Sequence, residues 1–173
     1  MHKHLFAGTL LALAGGAAFA AQDTAVSEVD SPVPQAAMTL KDNESFQNPM
    51  PMPGNALPAY PETMLGHMLP PQTVCVRVTI DENGKVGATH PIGAGPDCPT
   101  PQNAPAAFYE AAEDAAKAWT FDPAFRCVYP KRVKPSKTGC FGDDVEQVPT
   151  AVSLVYRFVF EQADGHGAVR LGS

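Results

Sequence analysis

Proline sets the limits on this fold. The chain carries 18 Pro in 173 residues, together with 14 Gly. Every Pro removes a backbone donor and holds φ near about −65°, so helix interiors and central strands are closed to it. How much of the chain can be helix or strand is therefore limited. Pro and Gly together make up under a fifth of the chain, short of the roughly 25–30% that marks a disordered one, and 45% of the residues are hydrophobic. One folded domain with tails is the expectation. A formal net charge of -6 argues against nucleic-acid binding, which needs a basic face to displace counterions from phosphates.

The N-terminus reads as an export signal. Met1 to His4 is short and basic, Leu5 to Ala18 is weakly apolar, and Ala18-Phe19-Ala20 has the small-x-small pattern of a peptidase site. Residues 1–20 are expected to be removed by cleavage before Ala21. The alternative is an uncleaved membrane anchor, but the uncharged stretch ends by Gln22, and its Gly and Ala make it barely hydrophobic enough for a bilayer, which needs about 20 apolar residues. The mature chain is expected to be soluble outside the cytoplasm. Cys75, Cys98, Cys127 and Cys140 are the 4 cysteines; in an oxidising compartment that even count implies two disulfides. Zinc fits less well, because structural sites bring ligands in close pairs such as C-x2-C and none occurs here. Three connectivities are open to four cysteines. Cys127 with Cys140 is favoured because both lie in one stretch without apolar periodicity, and Cys75 with Cys98 follows by elimination.

Residues 21–56 are polar and broken by Pro, and are expected to form a flexible arm. Its Met50-Pro51-Met52-Pro53 run lacks the nearby His or Cys of a copper site and reads as a stiffened tether. The folded domain is expected over 57–161. Pro61 suits the first turn of a short helix, Glu62 to Met68, with Met64, Leu65 and Met68 on one side. Thr73 to Ile80 alternates, Val74, Val76, Val78 and Ile80 against Thr73, Cys75, Arg77 and Thr79, which predicts a half-buried strand. Asn83-Gly84 can take positive φ and turns the chain into a second strand, Val86 to Ile92. The acidic ligands of a calcium loop are missing beyond this turn. A loop from Gly93 to Pro105 carries Cys98. Ala106 to Trp119 has helical spacing, with Phe108, Ala111, Ala112, Ala115 and Trp119 on one face. Residues 126–150 form an aperiodic insertion closed by Cys127 and Cys140. Val152 to Phe160 alternates again and predicts a third strand, and 162–173, rich in Gly, a disordered tail.

These elements predict an α+β domain. The longer helix must carry the chain from the second strand to the third, and a right-handed crossover then gives a three-stranded antiparallel sheet of order 2-1-3 with two helices on one face. Leu154, Tyr156, Phe158 and Phe160 face the helices. The third strand lies at an edge with its outer N–H and C=O groups unpaired, so Ser153, Val155, Arg157 and Val159 are the candidate partner-binding edge.

Catalytic constellations do not emerge from the sequence. His67, His90 and His166 are scattered, without H-E-x-x-H or a similar pairing. Gly93-Ala94-Gly95 is followed by Pro96, so no helix presents N–H groups to a phosphate. Asp143-Asp144 reads as a solvated turn. Lys131, Arg132, Lys134 and Lys137 form a basic cluster whose functional reading is contact with anionic envelope components and whose plain reading is a solvated loop. No enzyme activity, cofactor or metal is expected.

Several pieces resemble a known family. Tyr60-Pro61 stands before a short helix, and Val76 to Asp81 is followed by Asn83-Gly84-Lys85-Val86. Trp119-Thr120-Phe121-Asp122-Pro123-Ala124 closes the second helix, and Val155 to Phe160 ends the domain. In this order, over about Leu57 to Phe160, they resemble the C-terminal domain of TonB energy transducers, with Tyr60, Pro61, Gly84, Trp119, Phe121 and Pro123 as the structural motif positions. The resemblance implies a periplasmic domain that receives an extended segment of an outer-membrane receptor along its last strand. The uncleaved membrane helix and long Pro-rich spacer of TonB are absent from this sequence, which points to an adaptor or binding module for an envelope or transport protein. The alternative is a structural envelope protein that dimerises or packs through the same edge.

Overall fold

The computed structural model describes residues 39–95, 98 and 103–172. The signal segment and the first part of the arm, to residue 38, lie outside the described residues. Chain order within them is β1 (Glu44–Gln47), β2 (Met50–Pro51), α1 (Glu62–Leu65), β3 (Gln72–Ile80), β4 (Val86–Ile92), α2 (Ala106–Lys117) and β5 (Phe121–Asp122). β6 (Phe125–Val128), β7 (Glu146–Pro149), β8 (Val152–Ala163) and β9 (His166–Leu171) complete it.

The principal sheet is β4-β3-β8-β9. Its β4-β3-β8 part is the expected antiparallel 2-1-3 arrangement, and β9 adds a further strand beside β8. The described residues also contain two smaller antiparallel sheets, β1-β6-β7 and β2-β5, where one sheet was expected. The fold is α+β.

One face of the principal sheet carries the core. Val74, Val76, Val78 and Ile80 of β3 and Leu154, Tyr156, Phe158 and Phe160 of β8 are buried there, as their alternation requires. α2 packs on this face with Phe108, Ala112 and Ala116. The buried stripe passes through Ala116 where the sequence pointed to Ala115, because 108, 112, 116 and 119 follow one row of the helix surface. α1 ends at Leu65, and Met68, expected on its apolar side, is 86% exposed.

Three expectations are corrected. The arm is not free over its whole length, because β1 and β2 pair with β6 and β5. Asn55 also exchanges hydrogen bonds with the Thr120 backbone, and Trp119 Nε1 donates to the Ala56 carbonyl at 2.7 Å. The 126–150 insertion is not aperiodic coil, since β6 and β7 form a hairpin whose other edge is filled by β1. Residues 162–163 finish β8, and 166–171 form β9 where a disordered tail was expected. Asp164 and Gly165 both have positive φ, 52° and 77°, the geometry of a two-residue hairpin turn whose twist matches the strands. Val169 and Leu171 then reach the core.

Both expected disulfides are present, Cys75–Cys98 and Cys127–Cys140. Such bonds fit an exported protein. No helix among the described residues is long and apolar enough to cross a membrane.

Candidate functional site

Backbone polarity alternates along an antiparallel strand, so one known bond fixes which residues point to which neighbour. The Gly172 amide donates to the Arg157 carbonyl at 2.8 Å, so Arg157 and Val159 of β8 turn their backbone groups toward β9, as Val159↔Arg170 pairing continues. By the same alternation Ser153 and Val155 also turn theirs away from β3. The expected partner-binding edge is therefore split. Arg157 and Val159 are already paired within the chain, which corrects their assignment as an open edge. β9 pairing reaches only as far as Phe158, apart from the Gly172 bond to Arg157. Ser153 and Val155 lie past that point and keep their outward groups free of β9.

The open stretch has definite walls. Its inner side is the β3–β8 ladder, with Val155 opposite Arg77 and Ser153 opposite Thr79. The Ser153 and Thr79 hydroxyls lie 3.0 Å apart and hydrogen-bond across the strands. Its far end is the terminus of β9, where the Arg157 side chain lies against Gly172 so closely that an added Cβ would come within 2.6 Å of Nε. Beneath it, Leu154 and Tyr156 anchor β8 in the core. The Tyr156 ring meets Trp119 edge-on at 4.9 Å, and burial pushes the Tyr156 hydroxyl well above its ordinary range.

Other free edges are less receptive. β4 borders the sheet, but Pro91 opposite Val76 has no N–H to offer an incoming strand, a common protection of edges. The outer edge of β9 presents the backbone groups of Gly167, Val169 and Leu171.

The motif positions serve the core and its turns. Tyr60 packs edge-on against Phe108 at 5.2 Å and Phe160 at 6.2 Å. Pro61 precedes α1 as its cap residue. Gly84 has φ of 77°, and its carbonyl accepts the Phe121 amide at 2.8 Å, while Pro123 lies beside the same turn. Asp81 closes that turn by accepting the amides of Asn83 and Lys85; those bonds hold its carboxyl below the usual range, with the Lys85 amide the largest cause.

The remaining candidates stay apart. No group of three or more His, Cys, Asp or Glu that could hold a metal occurs among the described residues. Lys131, Arg132, Lys134 and Lys137 are exposed, as are Asp143 and Asp144. At the base of their loop, the Tyr129 hydroxyl donates to the Gly139 carbonyl at 2.9 Å beside the Cys127–Cys140 bond.

The sequence reading missed β9, which decides how much of β8 is open. Its signal was the Asp164-Gly165 dipeptide between Phe158-Val159-Phe160 and Val169-Arg170-Leu171. No protein-family model matches the chain, and neither does any curated protein or solved structure.

Proposed function

We propose that this protein is an exported, non-enzymatic binding module of the cell envelope that captures an extended peptide by strand addition, in the manner its resemblance to TonB C-terminal domains implies. The periplasm is its compartment, reached by the leader whose removal before Ala21 the sequence predicts. The observation that carries the reading is the short open stretch of β8. The N–H and C=O groups of Ser153 and Val155 offer four bonds to a segment laid end to end with β9. Each such bond contributes on the order of 1 kcal/mol net, so specificity rests on side chains flanking the slot.

Val155→Pro tests this directly. The Val155 amide points away from β3, so Pro there removes a donor needed by the incoming segment and leaves the β3–β8 ladder intact. Full-length protein crosslinked in the periplasm is expected to lose its captured segment in this variant and to keep it in a folded Val169→Pro, whose lost amide points to the outer edge of β9. Equal capture by wild type and Val155→Pro, both folded, overturns the reading. The same stretch can also pair with its own copy, the second reading. Sedimentation of a dimer that becomes monomeric in Val155→Pro, with no foreign segment crosslinked, would favour it.

A further inference from the structure

The face of the principal sheet opposite the core holds a pair of arginines that take part in no ion pair among the described residues. Arg77 and Arg157 lie on this face on adjacent strands, since Arg77 stands opposite Val155 and Arg157 opposite Cys75. They are therefore diagonal neighbours, within the reach of long side chains. Arg77 also stands opposite His90 on its other side. The ion pairs among the described residues use other cations: Lys41 and Arg126 with Glu44, Lys117 with Asp114, and Arg170 with Glu161. Arg77 Nε is buried with no hydrogen-bond partner. A buried donor without a partner costs free energy, and an arginine donor more than most. Both arginines are partly buried, on a chain whose net charge is -6.

We infer that Arg77 and Arg157 form a carboxylate-binding site, and that its ligand is an acidic side chain of the segment that adds beside Val155. The inference rests on the strand-addition reading above. A residue of that segment placed opposite Val155 projects its side chain onto the same face as Arg157 and Arg77. The Arg157 side chain lies against Gly172 at the end of β9, where the open stretch begins. The planar fork of a guanidinium matches a carboxylate with two parallel bonds, and Arg77 gains a counter-charge that no described residue gives it. The slot thus selects an extended segment with Glu or Asp at its centre.

The probe is a capped five-residue peptide of alternating threonine and valine with central glutamate, and its glutamine counterpart. Both are titrated into the full labelled protein, with free acetate and inorganic phosphate as separate arms. The Arg77 and Arg157 Nε–H signals and the Val155 amide are followed. The glutamate peptide is expected to shift all three and to bind about tenfold more tightly than the glutamine one. Arg157→Gln and Arg77→Gln are each expected to erase that preference while keeping the glutamine peptide's affinity. If both peptides move the Val155 amide equally in wild type, strand addition stands and the arginine site falls. If acetate and the glutamate peptide move the arginine signals and Val155→Pro binds the peptide unchanged, the anion site stands and strand addition there falls. Arginine signals that answer phosphate but not carboxylate, or nothing at all, overturn the inference. So does Asp97→Asn, next to Cys98 in sequence, if it shifts both arginine signals without ligand, because the counter-charge is then internal.

Discussion

At the scale of single residues, two positions show how local chemistry holds distant parts together. Gly84 adopts a φ open mainly to glycine, and a Cβ there would come within 1.9 Å of the Phe121 carbonyl oxygen. Gly84→Ala is expected to cost about 1–3 kcal/mol, read as a lower urea midpoint with unchanged slope, because it strains the turn and pushes β5 off it. Glu44 joins β1 to β6. The Lys41 amide and the Arg126 guanidinium, 2.7 Å away, hold its carboxyl below the ordinary range in spite of burial. A lowered folded pKa contributes stability that is present above the unfolded value of 4.5 and is lost as pH falls through the folded one. Amide exchange in β1 and β6 is therefore expected to speed up on acidification below that value. In Glu44→Gln it is expected to be fast already at neutral pH and to lose this acid dependence.

At the scale of elements, the disulfides separate two kinds of loop. Cys127 and Cys140 are 13 residues apart and close the β6–β7 hairpin, whose other edge receives β1. A crosslink of that length constrains the unfolded chain by about 3 kcal/mol in the entropic picture. Replacing both with Ser is expected to lower stability by about that amount. The loss should appear first as faster exchange in β1, β6 and β7, since Tyr129 and Cys140 form their small core. The β3–β8 ladder, packed against α2, is expected to hold. Cys75–Cys98 instead ties the loop after β4 back to the centre of the principal sheet, on the face of Arg77 and Arg157.

At the scale of the whole molecule, β9 acts as the chain's own added strand. It fills the far half of the β8 edge, and among the described residues no strand pairs with the near half. A chain ending after Ala163 is expected to keep the β4-β3-β8 sheet but to expose the edge at Arg157 and Val159 and the core side chains under Val169 and Leu171. Such a chain should self-associate at micromolar concentration, read by sedimentation; a monomer as stable as the full chain would show that β9 contributes nothing to closure. The alternating runs at Thr73 to Ile80 and Val152 to Phe160, the Asn83-Gly84 turn and the favoured Cys127–Cys140 pair were legible in the sequence, although three connectivities stayed open to the four cysteines. Each is set by local period, turn stereochemistry or a short separation along the chain. The 2-1-3 order was legible too, because crossover handedness leaves one choice. β1, β2 and β5 were not legible, since four residues such as Glu44 to Gln47 have no period to read, and their backbone partners lie some eighty residues away. Only tertiary structure chose those partners, by offering the unpaired edges of β5 and β6 to a segment that has no other place for its donors and acceptors. The same holds for the candidate site: sequence placed Ser153, Val155, Arg157 and Val159 on one face, while the length of β9 decided which of them stay open. Packing alone brought Arg77 beside Arg157, because strand register is settled by the buried face and the opposite face follows it.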